Sequence, residues 1–135
     1  MPRDNNKKIV KEWLEKAESD YSFANSALEF DDYFSQICFH FHQSAEKYLK
    51  AFIIAKKLKF RPVHNLLELL VICRKAKSTA REIEECCRFL NPFYIETRYP
   101  VYWPVNYDGK TAIEAKEAVR GIRDWVRSQL ATRRK

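Results

Sequence analysis

The stretch that decides the fold runs from about Tyr33 to Lys57 and reads YFSQICFHFHQSAEKYLKAFIIAKK. Its apolar side chains recur at steps of three and four, which is the spacing of one face of an α-helix. That face is wide and aromatic, as is typical of a central helix in a bundle. It consists of Phe34, Ile37, Cys38, Phe41, Ala45, Tyr48, Leu49, Phe52 and Ile53.

The same helical spacing continues on both sides of this stretch. An apolar stripe over about 7–30 predicts a first helix, which ends at Asp31 and Asp32 because Asp favours turns and caps over helix interiors. Pro62 predicts a non-helical link after the central helix. Three capping pairs then predict helix starts near residues 65, 79 and 111, namely Asn65 with Glu68, Thr79 with Glu82, and Thr111 with Glu114.

No strand-like alternation or internal repeat interrupts this pattern, and the chain contains only 2 Gly and 5 Pro in 135 residues. So few turn residues disfavour a β-sandwich or barrel. The sequence therefore predicts an all-α fold, an up-and-down helical bundle of four main helices plus one short helix. We expect a single domain over 1–135, with a frayed basic tail at about 131–135.

The distribution of charge along the chain indicates which partners it can attract. The net charge is +7, and residues 112–135 hold seven basic and three acidic residues. This basic excess has two interpretations. It either attracts polyanions, of which nucleic acid is the first candidate, or it forms a solvated helix face.

The sequence also contains no apolar run of 18 residues, so we expect no membrane span and a cytoplasmic location. The four cysteines lack C-x-x-C spacing, and Cys38 with His42 offers too few ligands, so we expect reduced thiols, no metal and no cofactor.

An aromatic, proline-containing stretch at 97–110 breaks the helical pattern. Rings in a loop pack on their own bundle, on a partner or on a ligand, and the sequence leaves all three open. Arg98 among them suits phosphate contact and base stacking, or an ordinary carboxylate bridge. The candidate loop and interface residues are Tyr99, Pro100, Tyr102, Trp103 and Tyr107.

Polar residues on the central helix form a second candidate surface. Gln43, Lys47 and Lys50 share one face, which is either the solvent side of a buried helix or a cationic strip for phosphates. His42, at the core boundary, is expected to be a hydrogen-bonded structural residue. His64, where a helix begins, is expected to cap it or to anchor the loop, and is also a candidate for phosphate contact.

Several of these segments resemble the HEPN family, small helical bundles named for a proposed nucleotide-binding role. The resemblance covers about residues 7–130 and points to the minimal prokaryotic members with an Arg-Tyr-Pro loop. It is carried by the segment HQSAEKYLKA at 42–51, by Trp13, Ala17, Asp20 and Ala24, by Pro62, His64, Leu66, Leu69 and Leu70, by Thr97-Arg98-Tyr99-Pro100 with Tyr107, and by Ala115, Ala118, Ile122 and Val126.

The resemblance implies a homodimer and, commonly, a small nucleotidyltransferase partner, in pairs that include toxin–antitoxin systems. The family's ribonuclease motif, Arg followed after four to six residues by His, is absent. Metal-independent cleavage needs such a proton-transfer group and a cation. The leading prediction is a non-catalytic binding module that contacts nucleotide or RNA. The alternatives are a metal-independent ribonuclease with an atypical site built from His42, His64 and Arg98, and a structural subunit whose loop packs into a partner.

Overall fold

Six α-helices and one 3₁₀ helix make up the part of the chain that the computed structural model describes, residues 2–96 and 107–131. No β-strand occurs within these ranges. The predicted all-α bundle is confirmed. The helices are α1 (Pro2–Phe30), α2 (Phe34–Ala55), α3 (Leu66–Ala76), α4 (Glu84–Leu90), α5 (Phe93–Glu96) and α6 (Gly109–Ala131), and the 3₁₀ helix spans Ser78–Ile83.

The central helix of the bundle is α2, as its wide apolar face predicts. It packs against α1 along most of its length and against α6, α3 and α5 on its other sides. Tyr48, Phe41 and Phe52 are fully buried, and the buried side chains of all the long helices join in one core. Because burying a large apolar side chain contributes about 1.5–3 kcal/mol, this helix supplies much of the stabilisation.

The end of α2 is a Schellman motif. The amide of Lys57 donates to the carbonyl of Ile54, and that of Leu58 donates to Ile53, both at 3.0 Å. Lys57 has a φ of 57°, the left-handed conformation that glycine adopts without steric cost. The motif turns the chain sharply, so that the 56–65 connection leaves α2 toward α3.

One of the three predicted capping pairs is present at a helix start. The Asn65 side chain accepts hydrogen bonds from the amides of Leu67 and Glu68 at 2.9 and 3.0 Å. The cap at Thr79 was predicted wrongly, since Ser78–Ile83 forms a 3₁₀ helix without a side-chain cap. Thr79 Oγ1 instead accepts a hydrogen bond from Trp125 Nε1 at 3.2 Å, which ties this turn to α6.

The start of α6 also differs from the prediction. The helix begins at Gly109, two residues before Thr111, and Asp108 is its cap. The Asp108 carboxylate accepts hydrogen bonds from the amide and hydroxyl of Thr111 at 2.9 and 2.8 Å. These bonds hold the pKa of Asp108 below its ordinary value.

The helix that was predicted to start near residue 79 is broken into short pieces. Its apolar spacing predicts a continuous helix through 78–94, but a 3₁₀ turn, α4 and α5 follow one another instead. Pro92 lacks the amide that a continuous helix requires, so the chain turns at Asn91. This break places the start of α5 beside the connection between α2 and α3.

Candidate functional site

The polar centre of the bundle is the carboxylate of Glu46, which α2 buries to 3% exposure. Lys50, one turn later and 4% exposed, donates to Glu46 Oε2 at 2.7 Å. His64 Nδ1 lies 3.1 and 3.0 Å from the two carboxylate oxygens. Because an ionised carboxylate only accepts hydrogen bonds, Nδ1 carries the proton in this contact. The buried charge of Glu46 is therefore compensated on two sides.

His64 links this buried centre to the surface. Its side chain is 45% exposed although its Nδ1 reaches the buried carboxylate. The contact ties the 56–65 connection to α2, which is the anchoring role that its position predicts. The Tyr94 ring stacks on the imidazole, with centroids 4.4 Å apart and planes at 19°.

A groove of about 630 Å³ opens beside this stacked pair. It lies between the connection that precedes α3 and the turn that precedes α5. Its lining residues are Pro62, Val63, His64, Asn65, Glu68, Asn91, Pro92 and Tyr94. Asn91 Oδ1 accepts a hydrogen bond from the Leu66 amide at 2.7 Å, which fixes the two walls relative to each other. An imidazole, a phenol and two amides on one groove suit a flat polar ligand.

His42 lies behind the centre and is completely buried. Neither ring nitrogen makes a hydrogen bond of good geometry to a described residue, and only weak contacts with the Gln43 side chain and the His64 backbone correspond to the hydrogen bonds expected for this histidine. Its Nδ1 lies 3.9 Å from Glu46 Oε1, and its ring lies 5.7 Å from that of Tyr94. Burial lowers the pKa of His42 to about 4, so the imidazole is neutral near pH 7.

The predicted strip of Gln43, Lys47 and Lys50 is not an exposed cationic face. Lys47 Nζ lies 2.6 Å from Asp20 Oδ2 on α1. The Lys50 ammonium is buried against Glu46 and lies 5.7 Å from the ring centroids of both Trp13 and Phe60. The interpretation of a solvent face was therefore wrong for Lys50, because Glu46, Trp13 and Phe60 cover it.

Most of the aromatic loop falls outside the described residues. Arg98, Tyr99, Pro100, Tyr102 and Trp103 lie within 97–106, so their predicted roles stay predictions.

The described end of the loop packs on its own bundle. Tyr107 is half-buried, and its ring lies 5.6 Å from that of Phe93. For this residue the structure favours the first of the three packing alternatives.

Ion pairs to α1 partly neutralise the basic excess of α6. Glu18 lies 2.9 Å from Arg127 and 3.9 Å from Arg123, and Tyr48 donates its hydroxyl proton to the same carboxylate at 2.5 Å. Burial and this carboxylate raise the pKa of Tyr48. These arginines therefore help to hold α1 and α6 together.

The four cysteines pack as small apolar side chains. All are free thiols; Cys38, Cys73 and Cys87 are buried and Cys86 is half-buried. Burial raises the pKa of Cys38 and of Cys73 to about 12, which keeps both thiols protonated. Over 2–96 and 107–131, no three His, Cys, Asp or Glu side chains are grouped as metal ligation requires.

The residue that sequence reasoning missed is Glu46. It lies one turn after His42 and one turn before Lys50, on a helix with few other charges, and that spacing was the available signal. Tyr94 was predicted only as part of an apolar stripe. Its stacking on His64 depends on the break at Pro92, which the stripe does not reveal.

Comparisons with known proteins agree with this architecture. The HEPN domain profile matches residues 10–129. TT1696 from Thermus thermophilus shares 27% sequence identity with this chain, and its crystal structure superposes with a TM-score of 0.79 over 88% of this chain and 96% of that chain. ST0689, an archaeal HEPN homologue, is 27% identical, with a TM-score of 0.73 over 89% and 96%. No curated protein matches the chain significantly.

A membrane span is also absent from what the structure describes, since no helix there combines the length and apolarity that crossing a bilayer needs. Two solved structures share the overall fold of this bundle. With the profile match extending over most of its length, the chain belongs to the HEPN domain family.

Proposed function

We propose that this chain is a non-catalytic HEPN-type binding module that takes a nucleotide or a stretch of RNA in the groove beside His64 and Tyr94. The proposal includes a homodimer, a small nucleotidyltransferase partner and a cytoplasmic location. It treats residues 1–135 as one domain.

The observation that carries the proposal is the exposed imidazole of His64, fixed by a buried carboxylate and stacked on Tyr94. A nucleobase presents a flat face for stacking and polar edges for hydrogen bonds, and the groove offers both kinds of contact. The loop that carries Arg98 follows α5 directly in the chain, so its guanidinium is a candidate for contact with the phosphates of the same ligand.

In this proposal the polar residues of α2 have two different roles. Lys50 holds Glu46 and so positions His64, while Lys47 and Gln43 remain candidates for phosphate contact from the neighbouring turns. A ligand phosphate would have to compete with Asp20 for Lys47.

Calorimetric titration tests the binding proposal with a mononucleotide and an RNA octamer at 50 and 200 mM salt. We expect affinity to fall with salt and to drop at least tenfold in Tyr94→Leu and in Arg98→Ala. Arg120→Ala on α6, an exposed arginine paired with Glu117, is the matched control. Unchanged affinity in both site variants would refute the groove as the binding site.

The partner and dimer parts have separate tests. Sedimentation equilibrium should give twice the chain mass at micromolar concentration, and a monomer would contradict the homodimer. The neighbouring reading frame should encode a small nucleotidyltransferase, and co-expression of the two proteins should yield a complex that survives gel filtration; separate elution would contradict the partnership.

One observation favours a second function, the metal-independent ribonuclease. A histidine whose Nδ1 is bonded to a carboxylate has the geometry of a general base, with Nε2 left for the substrate. Cleavage of RNA in EDTA that is lost in both His64→Asn and Arg98→Ala would establish this function and overturn the non-catalytic one.

A further inference from the structure

The positive charge of the chain is concentrated where α2 meets α3. Residues 56–81 contain eight basic side chains and a single acidic one, Glu68, a balance of +7. The whole chain has a net charge of +7, so the remaining residues balance one another. This segment therefore carries a larger excess of positive charge than residues 112–135, where the balance is +4.

A groove of about 280 Å³ lies within this segment. The connection forms one wall, and residues of α3 spaced by three and four form the other. Its lining residues are Leu58, Lys59, Arg61, Glu68, Val71, Ile72 and Lys75. We call it the basic groove. Val71 is 57% exposed there, although it lies on a helix whose other apolar side chains are largely buried.

Two of the three cations of the basic groove lack a carboxylate partner in the part of the chain that the structure describes, unlike the two lysines of α2. Lys47 and Lys50 contact Asp20 and Glu46 at 2.6 and 2.7 Å. Within the described residues, Lys59 and Lys75 have no carboxylate within 4.0 Å.

Arg61 has one partner among the described residues, Glu68, at 3.7 Å, and both side chains are about half exposed. Such an exposed pair is weak and yields readily to a phosphate. Helix dipoles account for cations in the last turn of α3, but Lys59 and Arg61 lie outside any helix.

The basic groove adjoins the groove beside His64 and Tyr94. Glu68 lines both, and the consecutive residues Arg61 and Pro62 belong to one each. A mononucleotide occupies one groove only. A polymer with a charge on every unit can extend from one into the other.

We propose that the basic groove binds the phosphate backbone of single-stranded RNA whose adjoining nucleotide lies in the groove beside His64 and Tyr94. This inference rests on the proposed function and specifies its ligand as an oligonucleotide. Lys59, Arg61 and Lys75 contact the phosphates, and the apolar floor receives a base or ribose face. An acidic peptide would match the charge, but it would not use the adjoining stacked pair.

The test is a length series of uridylates, from UMP through the dimer and tetramer to the octamer, titrated by calorimetry at several salt concentrations. We expect the octamer to bind at least tenfold more tightly than UMP. In Lys59→Gln/Lys75→Gln the octamer should lose at least tenfold in affinity and its salt slope should fall by about 1.4, while UMP binding stays unchanged. Lys8→Gln/Lys16→Gln on α1 removes the same charge and should change neither.

The other outcomes are equally specific. The inference is overturned if the octamer binds no more tightly than UMP, if the α1 control loses as much affinity, or if polyglutamate of equal charge binds as well as RNA. Octamer binding that requires Lys59 and Lys75 but is unaffected by Tyr94→Leu keeps the basic groove and refutes the nucleotide site beside His64.

Discussion

Lysines on the two sides of the C-terminal end of α2 have opposite surroundings. Lys47 and Lys50, before the end, each meet a carboxylate within 2.7 Å. Lys59, after the end, meets none within 4.0 Å among the residues that the structure describes. All three residues are lysines, so the difference does not come from residue type. Whether a lysine contributes to stability or to surface charge depends on the acid that the fold places opposite it. The paired lysines stabilise the bundle, and the unpaired ones produce its external field.

Removing the acid from the buried side should have the largest effect. Glu46→Ala leaves the Lys50 ammonium buried without a counter-charge, and we expect a loss of about 3–5 kcal/mol in the free energy of unfolding. Urea denaturation followed by circular dichroism measures it. Glu46→Leu/Lys50→Met, which removes both charges, should recover most of the loss.

The matched control is Glu68→Ala on the exposed side, whose pair with Arg61 should be worth less than about 1 kcal/mol. Equal losses in Glu46→Ala and Glu68→Ala would show that the two sides of the helix end do not differ energetically.

The pH dependence of stability gives a second test of the buried side, through His42. Its pKa is about 4 in the fold and about 6.5 in the unfolded chain, so the unfolded state binds more protons between these values. Stability should therefore fall as pH drops from about 6.5 to about 4, by about 3 kcal/mol from this residue alone. His42→Leu should flatten the dependence by that amount relative to the parent chain.

The pH control is His40→Gln, which replaces a histidine that is 34% exposed. Urea midpoints measured at half-unit pH steps provide the comparison. If His42→Leu keeps the slope of the parent chain, the buried imidazole is not its source.

The smallest expected effect concerns the exposed side. Lys57 adopts a left-handed backbone conformation, so Lys57→Gly should relieve steric strain and raise the free energy of unfolding by about 1 kcal/mol. Lys59→Gly is the control, because its φ is not positive and glycine there only loosens the unfolded chain. Thermal and urea unfolding should give the same order, and a loss of stability in Lys57→Gly would contradict the account of this turn.

Periodicity predicted the bundle because burial of one helix face leaves a direct trace in sequence. The central stripe from Phe34 to Ile53 was sufficient to identify α2, and Asn65 was sufficient to place the start of α3. Local alternatives were less predictable. Asp108 and Thr111 compete for the same cap, and Pro92 breaks a stripe that reads as continuous.

The site was less predictable than the fold because its contacts join distant parts of the chain. Lys47 and Asp20 are 27 residues apart, and His64 lies 18 residues from Glu46. Spacing along one helix showed that Lys47 and Lys50 were neighbours, but it could not show which carboxylates α1 and α2 would place against them. The basic groove was missed for the same reason, since it is defined by where acids lie across space.

The packing of Phe60 has a practical consequence. Its ring lies 5.8 Å from the indole of Trp13, with the Lys50 ammonium over both. Indole emission depends on the polarity and charge around the ring, so in a Trp103→Phe/Trp125→Phe chain the intensity and wavelength of Trp13 emission should report the position of the connection that carries Phe60. Trp125, which is buried against Phe52, would otherwise add its own emission. Trp13 is therefore an intrinsic fluorescent probe beside the proposed path of the RNA.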